Sequence, residues 1–323
     1  MSELPEMEHK IKNNIQISVV VATYNREDAI KECIDSLIAQ EFPRDRYEII
    51  IVDSSSTDSV KKIIEGCYQM TNPEIRYFYQ KKEGLAAARN LGIDKAVGDI
   101  IYFFDDDCIV DKYCLQIISS AYDTKDIGGT EGRIAGYNSL TIIQKYGDYL
   151  FHRTNTQPGG KIPERDGPIG CNASYKKEVL TAVQGFDKQF KWMEDLEIAI
   201  RIEKKGYYFK YIPSAIVYHK HRTTLKEILT RAYYFCFAGI KLCCDKYPEI
   251  FSLKKLILTN GVRILYKIVI YPYVIITVFQ AEDKKFYVCK PFLDILVSIC
   301  RILGLTAAAV YGIKYVNNDS NSR

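Results

Sequence analysis

Four apolar runs of strand length recur early in the chain: residues 15–22 (IQISVVVA), 47–52 (YEIIIV), 75–79 (IRYFY) and 100–104 (IIYFF). Between them lie segments with helical periodicity. Ala29, Ile30, Cys33, Ile34, Leu37 and Ile38 mark one apolar face of a helix from about Asp28, closed off by Pro43. Val60, Ile63, Ile64 and Cys67 mark a second helix with Asp58 as its N-cap, and residues 84–96 make a third. Strand–helix alternation of this kind predicts a parallel sheet with helices on both faces.

The last of these runs makes the strongest chemical demand, because it leads straight into Asp105-Asp106-Asp107. An uninterrupted apolar run is the pattern of a strand buried on both faces. Carboxylates crowded at its end repel one another and resist desolvation. A divalent cation with oxygen ligands relieves both costs. In open α/β sheets ligands sit beyond the carboxyl ends of the strands, and residues 23–26, 53–58 and 105–107 fall at those ends. No Gly-x-Gly-x-x-Gly follows the first strand and no Walker loop occurs, which argues against dinucleotide-binding folds and P-loop NTPases.

Beyond the aspartates the alternation loosens. Residues 127–136 read as a glycine-rich strand, 142–153 as a helix, and 154–169, with three prolines, as a mobile loop. Residues 170–175 read as a short strand, 176–183 as a short helix, and 191–204 as a helix ended by Gly206. Two strands, 207–212 and 215–218, then precede His219-Lys220-His221-Arg222. The net charge of +4 is too small to argue for a nucleic-acid partner. The ten cysteines include no Cys-x-x-Cys pair and sit mostly in apolar runs, where a free thiol packs as a small hydrophobe, so a reducing cytoplasm is expected. Residues 1–14 read as a polar, disordered lead-in, neither signal nor transit peptide. Asn172-Ala173-Ser174 and Asn318-Asp319-Ser320 match the glycosylation tripeptide, a pattern common by chance.

Five segments in order resemble the family 2 glycosyltransferases, inverting enzymes of the GT-A fold. They are VVVATYNR (19–26), IIIVDSSSTD (49–58), GLAAARNLGI (84–93), the aspartate triplet, and GFD with WMEDLEIAIRIEKKG (185–206). The resemblance covers residues 17–222 and implies a GT-A domain over 15–222, a Rossmann-like α/β fold with a mixed, mostly parallel sheet and helices on both faces. It implies that Tyr24 packs against the nucleobase, that Arg26 and Arg89 serve the donor, and that Asp53 hydrogen-bonds the base. An acceptor-only carboxylate suits a ring N–H such as that of uracil or guanine. Asp105 and Asp106 become donor contacts, and Asp107 with His219 becomes the ligand set for Mn2+ or Mg2+, with His221 as the alternative. Lys81 and Lys82 read as solvated.

By the same resemblance Asp195 is the base that takes the acceptor hydroxyl's proton during in-line attack, with Glu194 and Trp192 contacting the sugars. The implied reaction is metal-dependent, inverting transfer from a nucleoside-diphosphate sugar, a UDP-sugar favoured, to a hydroxyl of a glycan or lipid-linked acceptor, as in polysaccharide biosynthesis. A nucleotidyltransferase would share the sheet and acidic site but usually carries Gly-x-Gly-x-Arg after the first strand, absent here. A non-catalytic sugar-nucleotide-binding protein would not need the Glu194-Asp195 pair.

Residues 223–323 form a helical region of different character. Residues 224–247 read as an amphipathic helix dense in aromatics. Residues 256–280 and 292–311 are long and apolar but interrupted by Arg263, Lys267, Asp294 and Arg301, with Pro272 splitting the first. A spanning helix needs about 20 apolar residues with few charges. In-plane amphipathic helices, a helical hairpin in the membrane, and a subdomain packed on the catalytic domain all fit this pattern. The aromatics and flanking lysines favour a membrane surface, which would be the inner face of the cell membrane. The sugar, the acceptor and the oligomeric state are left open.

Overall fold

Strand β1 (Ile17–Thr23) leads into helix α1 (Glu27–Ile38), β2 (Tyr47–Asp53) into α2 (Ser59–Cys67), and β3 (Glu74–Tyr79) into α3 (Leu85–Lys95), after which β4 (Ile100–Asp105) runs to the aspartates. A computed structural model describes residues 15–68, 72–152, 156–164, 166–221, 223–277 and 284–311; the lead-in of residues 1–14, Arg222 and the tripeptide at Asn318 lie outside them. The chain continues through β5 (Cys108–Val110), α4 (Cys114–Ser119), β6 (Ile127–Gly136), α5 (Ile142–Phe151), β7 (Asn172–Lys176), α6 (Lys177–Ala182), α7 (Glu194–Lys204) and β8 (Tyr208–His219).

The strands form one sheet in the order β3-β2-β1-β4-β7-β6-β8-β5. The first four are parallel; β7 runs antiparallel to both β4 and β6, and β6 pairs in parallel with β8. Side chains alternate between the two faces, and both faces are covered. Val19, Val21, Ile49, Ile51, Tyr102 and Phe104 pack with Ile30, Ile34 and Leu37 of α1. Val20, Ile50, Val52, Ile101 and Phe103 pack with Ala86 and Ala88 of α3 and Ile198 and Ile202 of α7. Burial on both sides explains why these strands read as unbroken apolar runs. Helix α3 approaches β1 so closely that a Cβ on Gly92 would sit 2.3 Å from Val20.

Register brings the polar strand ends together. Thr23 pairs with Asp53, and Ala22 with Asp105. The short β5 turns back along β8, pairing Cys108 with His219, and the Lys220 N–H donates to the Asp107 carbonyl at 3.0 Å.

Several details differ from the sequence reading. Asp58 occupies the N-cap of α2 but makes no capping hydrogen bond. Strand β8 is continuous where two strands were expected, because an irregularity in its pairing with β6 falls between Ile212 and Ile216 and accommodates Pro213. The proline-rich stretch before β7 is not loose against the sheet: the Gly159 N–H donates to Tyr211 O at 2.8 Å and the Ile162 N–H to Phe209 O at 2.7 Å. Asn172 is buried, its amide donating to Arg133 O and Ala215 O, which removes it as a glycosylation acceptor.

The C-terminal region packs onto this sheet domain. Helix α8 (Leu225–Tyr234), opened by a Thr224–Glu227 capping box, continues as a π-helical segment (Phe235–Ile240) and α9 (Lys241–Lys246). Helix α10 (Leu253–Thr277) runs through Pro272 rather than being split by it, and α11 (Lys284–Tyr311) contains Pro291. Phe286, Leu293 and Val297 of α11 share a core with Tyr146 of α5 and with Ile228 and Ala232 of α8. Asp294 is buried in that contact, accepting from Tyr146 Oη at 2.8 Å and Lys290 Nζ at 2.9 Å, with Lys267 Nζ of α10 at 3.1 Å. Among the described residues, α11 is the one helix long and apolar enough to cross a membrane by length and composition.

Candidate active site

A cavity of about 740 Å3 opens at the carboxyl ends of β1 and β4 and is walled on its far side by α5, α8 and α11. Tyr24, Arg26, Asp105, Asp106, Asp107, Asp195 and His219 all line it. Residues far apart in sequence therefore meet because parallel strands end together, β5 folds His219 back onto Asp107, and α7 begins at the rim.

The three aspartates have different surroundings. Asp106 accepts from Thr23 Oγ1 at 2.8 Å and from Arg26 Nη1 at 3.1 Å. Burial pushes its carboxyl up to about 7, with Arg26 pulling the other way and Asp107 adding to the rise. Asp107 also accepts from Arg26, through Oδ2. Its other oxygen, Oδ1, is buried without a hydrogen bond among the described residues and lies 3.4 Å from His219 Nε2. Burial works against the Asp107 carboxylate, but His219 and Arg26 more than offset it and hold its pKa below the ordinary range. Burial lowers the His219 pKa against the pull of Asp107, favouring the neutral imidazole that ligates metals.

One oxygen each from Asp105 and Asp107 and one His219 nitrogen lie within 4.8 Å of one another. Two carboxylates and an imidazole suit Mn2+ or Mg2+. The unpartnered Asp107 Oδ1 is the atom such a cation would satisfy.

Asp195 stands at the start of α7, after Met193 takes the left-handed conformation (φ 64) at the N-cap. Its Oδ1 accepts from the Leu196 N–H at 2.8 Å and its Oδ2 from the Gly170 N–H at 3.2 Å. The carboxylate is thus held by two backbone donors while it faces the cavity. Tyr24 has Lys82 Nζ over its ring, 3.8 Å from the centroid, and Lys82 also lines the cavity instead of being merely solvated.

Four residues expected at the ligands are placed elsewhere. Asp53 is fully buried, one oxygen taking the Ser55 N–H at 2.8 Å and the other Tyr77 Oη at 3.0 Å, so both are committed within the fold. Arg89 is buried beneath the cavity floor. Its guanidinium donates to Glu194 Oε1 at 3.1 Å, Asp105 Oδ1 at 3.3 Å and Gly170 O at 3.1 Å. Glu194 points down at Arg89 and not into the cavity. Trp192 packs against the aromatic side of the C-terminal helices with Phe190, Met193 and Phe237, and does not line the cavity. The sequence reading gave no role to Lys220, Arg231 or Arg301, which do line it. The available signal was Arg301 inside an apolar helical run and Arg231 in an amphipathic one.

Comparison with known proteins gives the family and the fold. The sequence profile of glycosyl transferase family 2 matches residues 18–183. Glycosyltransferase AglE of Haloferax volcanii is 27% identical over 209 residues, covering 64% of this chain and 67% of AglE. The poly(ribitol-phosphate) beta-N-acetylglucosaminyltransferase TarS of Staphylococcus aureus is 31% identical over 109 residues, covering 34% of this chain and only 19% of TarS. Among solved structures, residues 1–349 of S. aureus TarS in complex with UDP align with a TM-score of 0.54 at 17% identity, covering 91% of each chain. The mannosyltransferase PcManGT from Pyrobaculum calidifontis, in complex with GDP-Man and Mn2+, aligns with a TM-score of 0.55 at 17% identity, covering 89% of this chain and 87% of the other. These structural likenesses establish the GT-A fold.

Proposed function

Because the chain belongs to glycosyl transferase family 2, and is a glycosyltransferase that binds a nucleotide-sugar, we propose that it transfers the sugar with inversion, using a divalent cation at Asp105, Asp107 and His219 and Asp195 as base. The observation that carries the reading is the pairing of an unpartnered Asp107 Oδ1 beside His219 with a backbone-held Asp195 carboxylate lining the same cavity. When bound, the cation supplies neutralisation of the charge on the leaving nucleoside diphosphate.

The protein's own residues then have distinct tasks. Tyr24 offers an aromatic face to the base once Lys82 moves aside. Arg26, paired with Asp106 and Asp107, would serve the donor's diphosphate beside them. Asp195 accepts the proton of the attacking hydroxyl. The Gly170 and Leu196 N–H groups hold its carboxylate, and the Arg89–Glu194 pair fixes the helix start beneath it. Arg89 and Glu194 are therefore positioning residues. A UDP-sugar is the preferred donor, and a glycan or lipid-linked hydroxyl the acceptor.

We further propose that residues 15–222 make up the catalytic domain and that the helices after residue 222 rest on a membrane surface, on its cytoplasmic side. Leu258, Leu265, Tyr266 and Val269 of α10 are 64–69% exposed. The buried Asp294 cluster ties α11 to α5 and α10, which favours lying on the membrane over crossing it.

The test is a thermal-shift panel of UDP and GDP with Mn2+ or Mg2+, followed by turnover assays. UDP with Mn2+ should raise Tm in the wild type and in Asp195→Asn but not in Asp107→Asn. Asp195→Asn should lose transfer by about 10^2- to 10^4-fold, the usual range for a general base. Full transfer by Asp195→Asn refutes the base assignment, and an unaltered Mn2+ response in Asp107→Asn refutes the metal site.

A further inference from the structure

The cavity's far wall carries two cationic groups that the sugar-transfer chemistry above does not use. Arg231 projects from α8 and Arg301 from α11, and both line the same cavity as the aspartates. Among the described residues neither pairs with a carboxylate. Arg301 Nε is buried without a hydrogen-bond partner, and Arg231 lies over the Phe151 ring at 5.5 Å. Elsewhere in the protein, Arg76, Arg89 and Arg201 each meet a carboxylate. Two half-buried guanidinium groups left without anions are costly unless a ligand supplies the charge.

The arrangement is built rather than incidental. Helix α11 approaches the end of α8 so closely that a Cβ on Gly304 would sit 2.4 Å from Tyr233 O. That contact lies one turn beyond Arg301 and fixes the two helices against each other. The acids nearby are already engaged. Glu227 caps α8 through the Thr224 N–H and Oγ1, and Asp148 accepts from the Gly136 N–H and faces His221.

We propose that Arg231 and Arg301 form a subsite for a phosphate or diphosphate group on the acceptor. This rests on the reading of the cavity as the transfer site. The planar fork of arginine matches phosphate oxygens, and in the reading above the donor's own diphosphate is served by Arg26 and the Asp105–Asp107 site. Around the arginines the wall is apolar, through Leu150, Ile228, Phe235 and Val297. On the outer side of α11, Ile299 and Leu303 are exposed. A phosphate linked to an apolar alcohol satisfies both the arginines and the wall. A phosphate on a soluble glycan satisfies the arginines alone.

The test measures binding to the full-length chain in EDTA, which silences the metal site, by titration calorimetry. Farnesyl phosphate, farnesol and glucose 1-phosphate are the probes. Farnesyl phosphate should bind, farnesol should bind at least about tenfold more weakly, and Arg231→Gln and Arg301→Gln should each weaken farnesyl phosphate by about tenfold or more. UDP with Mn2+ should shift the Tm of both variants as in the wild type. Glucose 1-phosphate binding as tightly as farnesyl phosphate keeps the phosphate subsite and assigns it to a soluble glycan. Farnesol binding equal to farnesyl phosphate overturns the subsite, as do folded variants that lose UDP–Mn2+ binding in parallel, because the arginines would then serve the donor. A wild type that fails to bind UDP with Mn2+ instead overturns the functional reading, a separate outcome. If a glutamine variant does not fold, Arg231→Lys and Arg301→Lys carry the same comparison.

Discussion

Arg89→Met is the most informative single change, because two roles for Arg89 predict opposite results. Arg89 is 3% exposed and Glu194 4%, so removing the guanidinium takes a charged partner from a buried carboxylate. Breaking a buried ion pair from one side costs about 3–5 kcal/mol. Asp105, the other charged partner, has a side chain 36% exposed and rehydrates, so it adds little. Against a typical stability of about 5–15 kcal/mol the loss is large. Urea unfolding should show a lowered midpoint at unchanged slope. The double change Arg89→Met with Glu194→Leu removes both charges and fills similar volume, so it should recover most of the loss. Kinetically, loosening the start of α7 displaces Asp195, so kcat should fall while the donor KM holds. If Arg89→Met keeps wild-type stability and instead raises the donor KM, Arg89 is a donor contact and the positioning argument fails. Strictly additive losses in the double mutant would equally refute the ion-pair account.

Two further outcomes follow from the fold. Glu197 is fully buried, and although burial raises its pKa, Arg201 at 2.6 Å, Lys246 at 2.7 Å and Tyr247 Oη at 2.8 Å bring it below its ordinary 4.5. A depressed carboxylate contributes stability that is complete above its unfolded pKa and is lost as pH falls through the folded one. Glu197→Gln should therefore lower Tm at pH 7 and flatten its decline below about pH 4.5; an unchanged acid slope would contradict this. On α10, Leu265→Asp should cut flotation with anionic vesicles by about tenfold or more, since one buried leucine is worth about 1.5–3 kcal/mol. A wild type that never floats removes the membrane face.

What was legible in the sequence follows from the length of each signal. Strands β1, β2 and β4 announced themselves because burial on both faces leaves few polar positions in the run, Ser18 and Glu48 being buried against each other. Their convergence could be read because parallel strands in register end together, as Thr23 beside Asp53 and Ala22 beside Asp105 do. The three residues of β5 and six of α4 are too few to show a period, so the short strand whose pairing with β8 sets His219 beside Asp107 was invisible. Pro213 looked like a strand break because sequence cannot report a bulge, and Pro272 like a helix break although α10 continues to Thr277.

The site divides along the same line. Resemblance selected the Glu194-Asp195 pair, but consecutive helical residues point about 100° apart, so the two need not share the same surroundings. Asp195 faces the cavity, and Glu194 is turned to Arg89. No motif announces that division; it depends on where α3 lies beneath α7. The same reasoning explains Arg231 and Arg301. In sequence Arg301 is a charge that spoils an apolar run and weakens the case for a spanning helix, and Arg231 is one charge of an amphipathic helix. In three dimensions those charges face the cavity, and on α11 the other side is apolar and exposed at Ile299 and Leu303. A spanning helix has no use for an inward arginine without an acid to meet it. A helix that closes a cavity over an anionic acceptor needs one, so under the proposed acceptor subsite Arg301, one of the charges that blurred the membrane reading, also joins α11 to the cavity.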